Sequence, residues 1–463
     1  MKSFETYIGE HRQDMINALR MLVQHPSVRG ASLSGAPFGQ PAADALQAYL
    51  QLAGEAGLRT HNMDGYVGVA EWGDEPALGI LSHLDVVPAG DGWTFPPFDL
   101  TERDGWLYGR GVIDDKGPTV AALFALRAVI ECGVPLKRGV RLIVGCAEET
   151  GSEDIAYYAE REAFPPMLFT PDAEFPVISI EKGRAFPTLT ATFDKADAPC
   201  AVTEVVADGV VNAVPGVATA RLRGFKLDDL CPLAAAFSAQ PGHPALTLAP
   251  CGDEIEVTAR GVAAHASTPE SGVNALTGLL AWLTTLPLTE TPASAALGAL
   301  TRLFPHGETD GTAAGVACRD DESGALTLVF SRLRFSETEL TAEADIRFPV
   351  CRTLAEVSAA VTNAAASAGM VAQVEGVEPH HVPADSPFVQ TLLDVYEQVT
   401  GERGEPLAIG GGTYVHGTPG GVAFGAEFPG DDNRMHGADE RLSLARFEQM
   451  TLIYAHAIAN LCG

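Results

Sequence analysis

Apolar residues recur at roughly helical spacing at Ile8, Met15, Ile16, Leu19, Leu22 and Val23 among charged neighbours, and Pro26 ends the run. One amphipathic helix is therefore predicted over residues 4–23. A Gly/Ser/Pro-rich loop from Gly30 to Gly39 leads to a second helix, from about Pro41 to Ala56, and to short strands at Val67–Glu71 and Leu78–Leu81. Pro118 to Ile130 is apolar on almost every side, which predicts a buried helix stopped by Gly133-Val134-Pro135. Val140 to Cys146 is a short apolar run that begins after a glycine and reads as a central strand. A helix at Ser152–Glu162 and strands at Met167–Thr170 and Val177–Glu181 continue the alternation.

Near Gly183 the texture changes. Ala, Thr, Val and Gly rise, and alternating runs predict strands at Arg184–Phe193, Ala218–Phe225, Glu254–Gly261, Leu326–Phe335 and Leu340–Pro349. Helical runs occur at Asn274–Thr285 and Leu354–Ala368. The chain then returns to a helix at Ser386–Val399, a Gly-rich loop, a strand at Val422–Gly425 and a last helix at Leu442–Leu461. The predicted fold class is α/β, a catalytic domain with a mixed central sheet flanked by helices, interrupted by an inserted α+β domain. The boundaries drawn are 1–183, 184–384 and 385–463. No tandem repeat is visible, although the insert is long enough to hold a diverged duplication.

A length of 463 residues fits two to three domains, and 46% hydrophobic with 19% charged residues is ordinary for a globular protein. The formal net charge of -30 argues against nucleic acid or anionic membrane partners. Eight cysteines without a Cys-x-x-Cys pair read as reduced core residues. The start, Met1-Lys2-Ser3-Phe4-Glu5, lacks a signal pattern, and no window reaches about 18 uninterrupted apolar residues, so a cytoplasmic protein is expected.

Candidate chemistry collects at the exits of the predicted strands. Ser82-His83-Leu84-Asp85, Asp114-Asp115, Glu148-Glu149, Asp172 and, in a later polar loop, His436 supply two imidazoles and several carboxylates. Each alone has an ordinary reading, such as acidic residues at a helix N-terminus. Their conjunction on one α/β scaffold points to metal. Imidazole and carboxylate without thiolate suit zinc, with manganese or cobalt as alternatives. Two ions about 3.5–4 Å apart need a shared ligand, a role that fits Asp114. Of the adjacent glutamates, Glu148 is assigned as general base and Glu149 as ligand, and Asp85 would orient His83 through its second ring nitrogen. Gly109-Arg110-Gly111 lacks the third glycine of a dinucleotide loop, and Gly410-Gly411-Gly412-Thr413 lacks the lysine of a phosphate loop. His243, His306, His380 and His381 are expected to be exposed and receive no role.

These motifs resemble a known family. Ser82-His83-Leu84-Asp85-Val86-Val87-Pro88, the stretch from Gly109 to Gly117, Ala147-Glu148-Glu149-Thr150-Gly151-Ser152 and Thr170-Pro171-Asp172 match, in order, the co-catalytic dizinc peptidases related to aminoacylase, succinyl-diaminopimelate desuccinylase and carboxypeptidase G. Within that group the chain most resembles the bacterial dipeptidase V (PepV) branch, through Asp172-Ala173-Glu174-Phe175-Pro176-Val177, Ile409 to Tyr414, and Phe424 to Pro429 followed by Met435-His436. The resemblance implies His83, Asp114 and Asp172 on one ion and Asp114, Glu149 and His436 on the other. It also implies a cis peptide between Asp114 and Asp115. The insert resembles the family lid, which implies substrate roles for Asn212, for Arg347 as a carboxylate clamp, and for His265 at the developing oxyanion. Gly412 and Thr413, in the Gly-rich loop, are assigned to substrate binding with them. An aspartate at 172 goes with aminopeptidase and dipeptidase members.

The implied activity is hydrolysis of unblocked dipeptides by a water bridging two divalent ions, in a monomer whose enlarged lid fills the space of a second subunit. Rivals are an N-acyl amino acid deacylase of the same fold and a catalytically silent peptide-binding homologue. The chain departs from the dipeptidase V pattern at Val415-His416 and in the loop Gly430 to Arg434, which leaves the preferred side chains open.

Overall fold

A computed structural model describes residues 2–463. The chain forms two units, one of residues up to Ile180 with His380–Leu407 and Gly412–Gly463, the other of Glu181–Pro379 with Ala408–Gly411. The chain crosses between them near 181 and 380, a few residues before the positions drawn from sequence texture.

The first unit is built on a mixed sheet whose main path runs Arg59–Met63, Val67–Trp72, Gly139–Gly145, Pro76–His83, Met167–Thr170, Gly421–Ala423, Val177–Glu181 and His380–His381. The strands at 139–145, 76–83 and 167–170 are neighbours and parallel, with His83 in register with Gly145. Their carboxyl ends therefore open on one edge, where α/β sheets collect their sites. The helix Lys116–Glu131 has only Arg127, Ile130 and Glu131 outside the fully buried class, as its all-round apolar sequence predicts. It packs with Leu444–Cys462 in one hydrophobic core.

Several expectations need correction. The opening helix is two, Phe4–Glu10 and Arg12–Val23, because His11 leaves helical geometry at φ -99 and ψ 10. Its ring instead bonds Asp14 in the first turn of the second helix. All eight cysteines are free, but only Cys132, Cys146 and Cys462 are buried, while Cys231 and Cys351 are exposed. His381 is exposed, but His243, His306 and His380 are partly buried. The ring nitrogens of His306 are held by Thr277 and the Gly242 carbonyl, and His380 Nε2 lies 2.6 Å from the Gly421 carbonyl. No helix among the described residues is long and apolar enough to cross a membrane.

The second unit carries an eight-stranded antiparallel sheet in the order Ala245–Cys251, Glu254–Arg260, Val217–Arg223, Ala201–Ala207, Thr327–Ser336, Glu339–Phe348, Gly183–Thr192 and Val371–Val377. With its helices this is the α+β class expected. Three of these strands escaped the sequence pattern. Ala245–Cys251 and Val371–Val377 are edges with no fully buried position, so their apolar signal is weak. Ala201–Ala207 carries a register shift against its neighbour between Val202 and Glu204, which breaks the alternation. The helix Leu227–Ser238 was also missed, since Pro232 inside it reads as a breaker. Pro292–Leu303 was missed too, despite the capping box Thr291–Ser294 that announces it.

Candidate metal centre

His83 is the last residue of the strand Pro76–His83, and Glu148 and Glu149 begin a short 3-10 turn just beyond Gly139–Gly145. Asp172 lies two residues past Met167–Thr170, and Asp114 immediately precedes Asp115, the N-cap of Lys116–Glu131. The Asp114–Asp115 peptide is cis, as the resemblance implies. His436 is held in a loop at φ 60, a left-handed backbone uncommon outside glycine.

The ligand atoms converge in two overlapping groups, His83 with Asp114 and Asp172, and Asp114 with Glu149 and His436. Asp114 Oδ1 is 2.9 Å from His83 Nε2, while its Oδ2 is 2.7 Å from His436 Nε2. Each oxygen of one carboxylate thus faces a different imidazole. His83 Nε2 is also 3.7 Å from Asp172 Oδ2, and His436 Nε2 is 3.1 Å from Glu149 Oε1. His83 is fully buried, yet its Nε2 has no aligned hydrogen-bond partner. A buried polar atom left so, aimed among carboxylate oxygens, fits a metal ligand.

The electrostatics lead to the same reading. Burial opposes a charge on His83, but Asp172, Asp114 and Asp85 outweigh it and hold the imidazole well above its usual range. His436 is pushed up to about 10, first by its hydrogen bond to Asp114 and then by Glu149. Burial pushes Asp172 up to about 7, and burial followed by the Asp172 charge lifts Glu148 well above the carboxylate range. Five carboxyl groups, those of Asp114, Asp115, Glu148, Glu149 and Asp172, crowd two imidazoles. Despite its burial, Asp114 is held well below the usual carboxylate range by His436 and His83, whereas burial pushes the other four up toward holding protons that divalent ions would replace.

Supporting groups fix this arrangement. His83 Nδ1 is 3.0 Å from the Asp85 main-chain carbonyl and 3.4 Å from its carboxylate, so Asp85 orients the ring chiefly through its backbone. The Asp85 carboxylate instead accepts the N–H groups of Glu148 and Glu149, both at 3.1 Å. Asp115 accepts the His83 N–H at 3.0 Å. Arg110, Glu440 and Asp154, also buried here, were not given roles from sequence. Arg110 lies inside the Gly109–Gly117 stretch. Asp154 reads as a first-turn helix charge and Glu440 as a loop charge, and no local signal separates them from solvated acids.

In the second unit, Asn212 and His265 come together on a two-stranded ribbon in which Ala213 pairs with His265 and the Asn212 carbonyl accepts the Ala266 N–H. His265 is exposed. The Ser267 hydroxyl lies 2.7 Å and the Ser267 N–H 3.2 Å from its Nδ1. Arg347 is 4% exposed. Its Nε and Nη2 fork is taken by Asp345, both bonds at 2.6 Å, and Nη1 donates to the Gly410 carbonyl at 2.9 Å. In the first unit, Gly412 and Thr413 precede a 3-10 turn at Tyr414–Gly417, and the Thr413 hydroxyl caps it. The Tyr414 ring meets His83 edge-on at 6.1 Å.

The sequence pattern of Peptidase family M20/M25/M40 matches residues 79–460. Two bacterial proteins named as putative dipeptidases are similar from end to end. YtjP of Bacillus subtilis is 34% identical, with 99% of each chain covered. One from Staphylococcus haemolyticus is 31% identical, with 98% of each covered. Among solved structures, human carnosine dipeptidase 1 superposes with a TM-score of 0.59 at 16% identity, covering 99% of this chain and 98% of that one, a likeness of fold.

Proposed function

The chain belongs to peptidase family M20/M25/M40, and from that premise we propose that it hydrolyses the peptide bond of unblocked dipeptides. The observation that carries this is Asp114, whose two carboxylate oxygens face His83 and His436 separately beside a glutamate that neither imidazole engages. His83, Asp114 and Asp172 would hold one ion and Asp114, Glu149 and His436 the other. Two divalent ions there, zinc foremost, would supply Lewis-acid activation of a water and of the scissile carbonyl.

Glu148 takes the proton of the attacking water and delivers it to the leaving amine. Its N–H is anchored on Asp85, which keeps the carboxyl group oriented. His265 donates to the developing oxyanion, a role supported by its exposed ring on the ribbon next to Asn212. Asn212 acts beside it. Arg347 keeps two of its five guanidinium donors after Asp345 and Gly410 are served, enough to receive a substrate carboxylate. Gly412 and Thr413 line the substrate from the Gly-rich loop.

The test is amine release from free dipeptides, their N-acetyl forms and N-acyl amino acids, using metal-stripped protein supplied with zinc, manganese or cobalt. Turnover of free dipeptides alone, abolished by Glu148→Ala, is expected. Turnover only of N-acyl amino acids would replace the reading with a deacylase, and no turnover with any metal would leave a peptide-binding homologue.

A further inference from the structure

The segment between the strand Gly139–Gly145 and the helix Glu153–Ala159 carries both Glu148 and Glu149, so its backbone sets where a base and a ligand point. Little regular structure holds it. Its internal bonds are Thr150 and Gly151 N–H to the Ala147 and Glu148 carbonyls at 3.3 Å, and Ser152 N–H to Ala147 at 2.8 Å. Outside bonds do the rest. The N–H groups of Cys146 and Ala147 donate to Asp154 Oδ2 at 2.5 and 2.8 Å, and the next two, of Glu148 and Glu149, donate to Asp85. Four consecutive amides thus end on two buried carboxylates.

Asp154 has one further long-range partner. The Tyr414 hydroxyl donates to the same Oδ2 at 2.5 Å, across 260 residues of sequence, and both side chains are at most 1% exposed. Oδ1 accepts the Ile155 N–H at 2.8 Å. All partners of this carboxylate are donors, so it is an acceptor hub without a cation. Gly145 belongs to the arrangement, because a Cβ there would run into the Tyr414 hydroxyl and Asp154 Oδ2. Tyr414 directly follows Gly412 and Thr413, and its ring also packs on His83. One side chain therefore touches a metal-ligand imidazole and the carboxylate that holds the Glu148 turn.

We propose that Asp154 and Tyr414 are a pair of positioning residues that ties the Gly412–Thr413 loop to the turn bearing Glu148 and Glu149, so that the substrate loop and the general base are set together. The inference rests on the dipeptidase reading for its kinetic consequence. Its structural consequence stands apart from that reading. Neither residue touches substrate; both act through the backbone of residues 146–149.

Tyr414→Phe is the incisive variant, since it keeps the ring against His83 and deletes only the hydroxyl. Asp154→Asn is the second, because an amide Nδ2 would face donor groups. Metal-loaded wild type and variants are compared by steady-state kinetics on a free dipeptide, bound metal per chain, melting temperature, and hydrogen–deuterium exchange of the peptide spanning residues 142–150. For Tyr414→Phe, kcat is expected to fall about tenfold with KM within about twofold, the loss of a bond to a charged acceptor. Metal content should stay near wild type, and melting temperature should fall by no more than about a few degrees. Exchange at 146–149 should quicken by about tenfold while the rest of the sheet is unchanged. Unchanged kcat with unchanged exchange in both variants overturns the proposal. So does a loss of activity that follows lost metal or general unfolding. If wild type turns over no dipeptide, the functional reading falls, and the exchange at 146–149 in Tyr414→Phe alone decides whether the pair holds the turn.

Discussion

Arg110 and Glu440 form a fully buried ion pair, with Nη1 2.6 Å from Oε2 and exposures of 1% and 0%. Glu440 Oε1 accepts the Ile113 N–H beside Asp114, and Arg110 Nη2 reaches the carbonyls of His436 and Gly437, both at 3.2 Å. The pair thus links the Asp114 turn to the His436 loop, and so supports two of the proposed metal ligands. Arg110→Met would strand the Glu440 charge, and breaking a buried pair on one side costs about 3–5 kcal/mol. Urea unfolding of the metal-free protein should show a loss of that order, and zinc should bind more weakly. A loss under about 1 kcal/mol would mean the pair is poorly coupled to the fold.

Glu148→Gln keeps the turn and every proposed ligand while removing the base. Turnover should drop by about 10²- to 10⁴-fold with metal content per chain unchanged. Equal loss of metal and activity would instead make Glu148 a ligand, and the assignment of the two adjacent glutamates would be reversed.

That assignment shows how far the sequence could be read. His83, Glu148, Glu149 and Asp172 stand at strand exits that period and length reveal, and residue chemistry alone suggests metal. The support of those residues lay beyond such reading. Asp154 accepts from Tyr414 across 260 positions, and Arg110 pairs across 330, so each looks like an isolated charge until the chain is folded. Arg347 shows the same limit from the other side. The resemblance implies a carboxylate clamp there, and Asp345, two residues before it on the same strand, occupies its Nε and Nη2 fork. Edge strands such as Val371–Val377 escaped for a different reason, since with no buried position they lack the apolar alternation that marks a covered face.

Stability of the metal-stripped protein should fall as the solution becomes alkaline. His436 is pushed up to about 10 in the folded state by its bond to Asp114 and then by Glu149, against about 6.5 when unfolded. A base raised on folding gives its full contribution below the unfolded value and loses it as pH rises through the folded one. Melting temperature should therefore decline between about pH 7 and pH 10 in chelator-treated protein. With zinc bound the imidazole has already released its proton, so the decline should be shallower and zinc addition near pH 8 should release acid. A melting temperature that rises across this window without metal would contradict the arrangement of His436 between its two carboxylates.

Gly145→Ala tests the packing behind the Glu148 turn without deleting a polar group. The added methyl would occupy space held by the Tyr414 hydroxyl and Asp154 Oδ2. Both are buried, and Asp154 is bound to the Cys146 and Ala147 amides, so neither can yield cheaply. Overpacking of this kind costs about 1–3 kcal/mol in urea unfolding. Tyr414→Phe removes the nearest of the three atoms the methyl meets, leaving Asp154 Oδ2 and the ring carbon, so the double variant should lose less stability than the two single losses added together. A coupling of at least about 0.5 kcal/mol is expected from residues in contact. Strict additivity would mean that the methyl is accommodated by a shift of the strand instead, and the tight seating of Tyr414 over Gly145 would not be what shapes the turn.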